Sequence, residues 1–233
     1  MSEVDAQRRY YEETAERYDE MHIADGDEHY LALDWLSNII RQQGITSVLD
    51  IGSGTGRGIR YLKERHDIRF VGVEPVGALR EQGHRKGLAP EELVDGNALA
   101  LDFPDDSFDI ACEFGVLHHI KDHRRAVAEM CRVARKGVFI SDSNNFGQGG
   151  TMNRLIKQAI NAVGLWQLFD LAMTRGKGYH YSPGDGIFYS YSVFNDVPVI
   201  RAKFPTLRFM STMASQGPSL YRQAPHLAVF GAL

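Results

Sequence analysis

Apolar residues along this chain follow two rhythms. Short continuous runs rich in Val, Ile and Phe read as buried strands at 46–51, 69–74, 92–95, 108–113 and 137–142. Stretches with apolar residues three and four apart read as helices at 57–65, 76–86 and 122–134, between those strands. Strand–helix alternation of this kind predicts a mostly parallel α/β sheet with helices on both faces. Ahead of it, residues 4–20 read as a charged, tyrosine-rich helix. Residues 29–42 read as an amphipathic helix with Leu31, Leu33, Leu36, Ile39 and Ile40 on its apolar face. Behind it, the pattern predicts one helix from Met152 to about Ala172, a glycine-rich loop from Thr174 to Gly186, and a helix near 194–203 that stops before Pro205. Strands at about 207–213 and 226–232 complete the chain. The whole reads as a single domain, 1–233. Residues 1–45 form N-terminal helices, 46–142 the core, 143–186 an insert and 187–233 the last part of the sheet. Ligands on open α/β sheets bind beyond the carboxyl ends of the strands. An insert after the fifth strand hangs over that edge, where long loops commonly act as lids or binding elements.

Composition narrows the classes. A chain of 233 residues supports one sizeable core. A net charge of −4 argues against a nucleic-acid surface, which usually shows a basic balance. Arg124, Arg125, Arg132 and Lys136 read as solvated faces and a helix C-terminus, where cations are favoured. Cys112 and Cys131 give no disulfide framework and read as inert core thiols. No spaced Cys/His cluster appears, so no metal is expected. No apolar stretch is long enough to span a membrane. The charged start Met1-Ser-Glu-Val-Asp lacks an apolar signal core, so a cytoplasmic location is expected.

The chemistry is concentrated in Val48-Leu-Asp-Ile-Gly-Ser-Gly-Thr-Gly56. A strand ends in Asp50 and enters a turn with glycine at 52, 54 and 56, just before a helix. Glycine there allows positive φ and lets a ligand touch bare backbone. Helix N-termini also offer free N–H groups. The spacing is not that of a dinucleotide fingerprint, which needs glycine at 57 or 59, where this chain has Arg57 and Ile59. Arg69-Phe-Val-Gly-Val-Glu74 follows as a second strand ending in a carboxylate, at the interval of a ribose-binding acid. Next come Leu93-Val-Asp-Gly-Asn-Ala98, Leu101-Asp-Phe-Pro-Asp-Asp-Ser-Phe-Asp109, and a strand running into Val116-Leu-His-His-Ile120.

Four motifs in this order resemble the class I S-adenosylmethionine-dependent methyltransferases, within them the ubiquinone/menaquinone-biosynthesis-like (type 11) group. The resemblance covers roughly residues 8–142. Asn97 and Asp102 stand where the group usually has Asp and Pro. It implies a Rossmann-like, seven-stranded sheet with an antiparallel C-terminal end, to which the 143–186 insert adds a helical cap for acceptor recognition. It implies S-adenosylmethionine as cofactor. Gly52, Ser53 and Gly54 would cradle its methionine portion, and Asp50 would orient the turn. Glu74 would hold the ribose, Asn97 and the backbone of Ala98 the adenine edge, and Glu113 the methionine end. Tyr11 and Tyr18 lie seven apart on an N-terminal helix that closes over the cofactor in this group. His118 and His119 sit at the sheet edge where the methyl group belongs. With His180 in the insert, they are the candidate bases or acceptor-binding groups. Arg175 and Lys177 are candidates for binding an anionic acceptor. The favoured function is methyl transfer to a small molecule, oxygen ahead of nitrogen or carbon. A macromolecular acceptor, a non-catalytic cofactor-binding protein and a dehydrogenase are the competing readings.

Overall fold

The computed structural model describes residues 3–22, 28–215 and 217–233. In chain order the elements are α1 (Glu3–Thr14), α2 (Tyr18–His22), α3 (Glu28–Gln43), β1 (Ser47–Ile51), α4 (Arg57–Lys63), β2 (Arg69–Val73) and α5 (Gly77–Arg85). They continue with β3 (Leu93–Val94), β4 (Phe108–Phe114), α6 (His123–Val133), β5 (Ala134–Ser143), α7 (Thr151–Ala162) and α8 (Trp166–Met173). The last are β6 (His180–Ser182), β7 (Gly186–Phe188), α9 (Val197–Lys203), β8 (Thr206–Ser211), α10 (Leu220–Gln223) and β9 (His226–Ala232).

The seven-stranded sheet has the order β3-β2-β1-β4-β5-β9-β8. Strands β3 to β5 pair in parallel, and β9 runs antiparallel between β5 and β8. Alternate residues of each strand feed two opposite cores, as the pleat requires. Leu49, Val71, Ala111, Val138 and Val229 pack with Val127 and Met130 of α6 and Ile200 of α9. Val48, Phe70, Ile110, Phe139 and Phe230 pack with Leu33, Leu36 and Ile40 of α3 and Ile59 of α4. Both faces are therefore covered by helices. The strand order reverses at β1, beside β4, which is where such sheets open a ligand crevice.

Four local expectations change. Residues 4–20 are not one helix: α1 ends at Thr14, a 3-10 turn spans Ala15–Arg17, and α2 follows. The Thr14 hydroxyl donates back to the Tyr10 carbonyl at 2.8 Å, a bond that bends helices. Buried Ala15 then seats against Val76 and Leu79. On α3, Leu31 is exposed and Ala32 takes its place in the core. The helix expected from Met152 to Ala172 is two, separated at Gly164, whose φ is +75°. The loop after it contains the hairpin β6–β7, paired from His180↔Phe188 to Ser182↔Gly186. The apolar stripe of α7 does not face a core: Met152 is 68% exposed, Leu155 54% and Ile156 48%.

Candidate active site

The turn after β1 is built from its glycines. Gly52 has φ +66°, and its N–H donates to the Val73 carbonyl at 2.8 Å. A Cβ at this position would stand 2.6 Å from both methyls of Val116, so backbone and side chain meet with no space for another atom. The Ser53 hydroxyl donates to Asp50 Oδ2 at 2.5 Å. Asp50 is buried, and burial pushes its carboxyl up to about 6, partly opposed by the Ser53 and Cys112 hydrogen bonds. Asp50 is thus tied to the turn through Ser53.

Glu74 is spent on the same turn. Its Oε2 accepts from the Gly54 N–H at 3.0 Å and its Oε1 from the Val76 N–H at 2.8 Å. Burial pushes it up to about 7. Tyr18 lies over Gly54, 3.3 Å from where a Cβ would sit. Each Glu74 oxygen keeps a further lone pair for a ribose hydroxyl.

A cavity of about 200 Å³ brings Tyr11, Tyr18, Asp50, Gly52 and Ser53 together with His118 and His119. Glu74, Asn97, Ala98 and Glu113 do not line it. Asn97 Oδ1 accepts from the Leu99 N–H at 2.9 Å and so caps its own turn. Ala98 packs against the core on the α6 side. Glu113 is fully buried; its Oε2 accepts from the Val116 N–H at 2.8 Å, and its Oε1 has no hydrogen-bond partner among the described residues. Burial and the nearby Asp142 push its carboxyl well above the usual carboxylate range.

The N-terminal helices form the roof. Asp19 is latched to the core by the Thr55 hydroxyl at 2.6 Å and the Lys86 ammonium at 2.5 Å. The Tyr11 hydroxyl lies 3.1 Å from His119 Nε2, and the Tyr11 and Tyr18 rings meet edge to face at 5.8 Å. Gln7 Nε2 donates to the Asp185 carbonyl, Gln7 Oε1 accepts from the Ile187 N–H, and the Tyr10 hydroxyl donates to the Pro183 carbonyl. The roof is therefore stitched to the β6–β7 hairpin of the insert.

His118 and His119 stand beneath this seam. His118 Nδ1 meets Asp142 Oδ1 at 2.7 Å, and its backbone N–H donates to Asp142 Oδ2 at 3.2 Å. Asp142 ends the expected fifth-strand run, and nothing in the sequence marks it as a histidine's partner. Burial opposes a charged His118, but Asp142 and Asp185 outweigh it and raise the imidazole to about 10. His119 Nδ1 lies 2.6 Å from the Ile187 carbonyl. Asp185, in the hairpin turn, faces both rings, and its position came from no motif.

A second, larger cavity of about 630 Å³ lies under the insert, walled by Trp166, Phe169, Met173, Phe188 and Met213. Glu28, His118 and Asp185 line both cavities. His180 lines only the larger one, where its Nε2 lies 3.2 Å from Asp170 Oδ1 and its ring stacks on Phe188. Arg175 and Lys177 line neither cavity and are exposed. Among the described residues, no helix is long and apolar enough to cross a membrane.

Residues 49–141 match a family described as a methyltransferase domain. The chain is 33% identical over 106 residues to a phosphatidylethanolamine N-methyltransferase of Cereibacter sphaeroides, covering 43% of this chain and 51% of that protein. It is 38% identical over 93 residues to a probable tRNA methyltransferase 9B of Homo sapiens, covering 39% of this chain and 19% of that protein. The chain thus spans about half the length of the first of these curated relatives and about a fifth of the second. A Thermotoga maritima structure described as an S-adenosylmethionine-dependent methyltransferase, possible histamine N-methyltransferase, superposes with TM-score 0.56 at 16% identity. That superposition covers 96% of this chain and 98% of the other. The sheet order, the antiparallel β9 and the glycine turn agree with these likenesses. Residues 49–141 of this chain thus match the methyltransferase domain family, and the chain as a whole shares the fold of the Thermotoga maritima structure.

Proposed function

We propose that this chain transfers a methyl group from S-adenosylmethionine to a small, largely apolar acceptor held under the insert, at an oxygen of that acceptor. One observation carries the reading: a cavity at the glycine turn and a larger apolar cavity share a wall made by Glu28, His118 and Asp185. Transfer needs donor and acceptor side by side with water excluded. The relatives named above take a phospholipid and a tRNA by name, so the acceptor class rests on this chain's own cavity. Its aromatic and aliphatic walls suit a small apolar body, and its limited volume does not suit a folded nucleic acid.

The residues fit the cofactor. Gly52 and Ser53 line the first cavity, with Asp50 beneath them and Tyr18 over Gly54. Gly52, Ser53 and Gly54 would hold the methionine portion, Glu74 the ribose after Tyr18 swings aside, and Asn97 with Ala98 the adenine edge. S-adenosylmethionine supplies a methyl group already activated on a sulfonium. Tyr11 and Tyr18 close the roof and exclude water. His118 lines both cavities and stands where the acceptor oxygen would lie. Asp142 fixes its ring, and His180 with Asp170 presents a polar spot deeper in the acceptor cavity.

The test supplies methyl-labelled cofactor with a metabolite extract and separates the products by size. Label in small molecules supports the reading, and label in RNA or protein overturns it. Calorimetry with S-adenosylhomocysteine is run in parallel. Glu74→Ala is expected to weaken binding at least about tenfold, as loss of a buried hydrogen-bonded charge does. Unchanged affinity refutes the ribose assignment.

A further inference from the structure

Two histidines and one carboxylate converge where the two cavities meet, and both rings present the same nitrogen. His119 Nδ1 lies 2.6 Å from a backbone carbonyl, which an N–H satisfies, so Nε2 is the nitrogen left to bind a further group. His118 Nδ1 is fixed in the same way by Asp142 at 2.7 Å. Both Nε2 atoms then face Asp185: His118 Nε2 is 3.4 Å from Oδ2, and His119 Nε2 is 3.3 Å from Oδ1. The Tyr11 hydroxyl also lies 3.1 Å from His119 Nε2 and would give way to an ion there. Charge-assisted hydrogen bonds are ordinarily shorter than these two gaps, about 2.7–2.9 Å. The observed gap is instead that of two neighbours on a tetrahedral ion. Metal–ligand bonds of about 2.0–2.1 Å place ligand atoms about 3.3 Å apart.

The three ligand atoms lie within 4.8 Å of one another, the one group of this kind among the described residues. Metal-bound histidines ordinarily donate their other N–H to a carboxylate or a carbonyl. Asp142 and the Ile187 carbonyl supply one of each. Asp142 and Asp185 together bring two negative charges, which one divalent ion balances.

We propose that His118 Nε2, His119 Nε2 and the Asp185 carboxylate bind one divalent first-row transition ion, zinc by preference, with its open position toward the acceptor cavity. Two imidazoles and a carboxylate suit zinc and its neighbours, whereas magnesium and calcium take oxygen ligands. No sequence spacing announces the site, because Asp185 arrives on a hairpin from the insert. The consequence for chemistry rests on the methyl-transfer reading; the binding itself does not. An acceptor hydroxyl on the open position loses its proton to solvent. Its oxygen then forms the new bond to the methyl carbon, and the S–CH₃ bond breaks with its electron pair left on a neutral sulfur.

The experiment uses the full chain stripped with chelator, with zinc and then cobalt(II) titrated in the absence of cofactor. Calorimetry gives the stoichiometry, and the cobalt absorption spectrum reports coordination geometry. One equivalent bound at micromolar affinity or tighter, with a tetrahedral or five-coordinate spectrum, is expected. His118→Ala, His119→Ala and Asp185→Asn each reduce affinity by two orders of magnitude or more. Asp142→Asn weakens it about 10–100-fold. His66→Ala, paired elsewhere with Ser37, leaves it unchanged. Asp185 is 40% exposed in a hairpin turn, so Asp185→Asn is the variant that keeps its fold, checked by circular dichroism and Tm. No binding, or binding that Asp185→Asn does not weaken, overturns the site. Zinc binding without methyl transfer would leave the site standing and count against the enzymatic reading alone.

Discussion

Gly52→Ala measures how tightly the cofactor turn is wedged into the sheet. Two costs add. The first is conformational: an L residue at φ +66° costs about 1–2 kcal/mol. The second is crowding. The new Cβ would stand 2.6 Å from Val116 Cγ1 and Cγ2 and 3.1 Å from its Cβ, so no rotation of the valine clears all three. Val116 cannot retreat easily, because its N–H is held by Glu113 and the preceding Gly115 N–H by the Ser141 carbonyl. Overpacking of this kind costs about 1–3 kcal/mol. The expected loss is therefore about 2–5 kcal/mol, or a fall in Tm of roughly 4–20 °C for a chain of this size. Gly44→Ala is the matched control. Its φ is +57°, but no atom lies within 4 Å of where the added methyl would sit, so it bears only the first cost. Urea unfolding of both variants isolates the crowding. Adding Val116→Ala to Gly52→Ala should recover more stability than Val116→Ala loses alone, a coupling that a double-mutant cycle reads directly. If Gly52→Ala and Gly44→Ala lose the same stability, the contact with Val116 is not a constraint and the account of the turn fails.

Two further predictions concern the roof and the base of the sheet. Asp19→Ala removes the bonds to Thr55 and Lys86, so α1 and α2 should be cut faster by a low dose of protease while global stability falls by less than about 1 kcal/mol, as for half-exposed pairs; equal cleavage rates would show that Asp19 is no latch. Burial alone would raise the Asp109 carboxyl, but the Thr46 N–H and hydroxyl with Arg135 and Lys136 hold it down to about 2 from 3.8. At about 1.36 kcal/mol per pH unit this is about 2 kcal/mol, present above pH 3.8 and lost as pH falls toward 2. Asp109→Asn should flatten the stability curve across that window, and an unchanged acid limb in denaturant titrations would refute it.

What the sequence disclosed follows how local each determinant is. The turn at 52–56 was legible because positive φ at a strand end nearly demands glycine, and the strands were legible because burial on two faces needs unbroken apolar runs. The antiparallel end followed from the family resemblance. The break at Thr14 was not legible: it depends on a hydroxyl turning back on its own helix and on Ala15 finding Val76 and Leu79. The exposure of the α7 stripe was not legible either, because periodicity reveals that a stripe exists, not what lies opposite it. The histidine pair was visible as a pair. Its chemistry was not, since Asp142 lies on the neighbouring strand and Asp185 on a hairpin hidden inside a loop-like run of glycines. Glu74 was found by its interval, but its use by two backbone N–H groups of the turn required coordinates.

The stitching of α1 to the β6–β7 hairpin has a consequence for timing. Gln7 and Tyr10 grip the hairpin that carries Asp185, and Tyr11 reaches His119 from the same helix. The entrance over the glycine turn and the entrance over the acceptor cavity are thus hung on one hinge. On the proposed reading, lifting α1 to exchange the cofactor would also slacken the wall behind the acceptor. A molecule lodged under the insert is then expected to prolong the residence of its neighbour, which stopped-flow release of the cofactor with and without an acceptor would check.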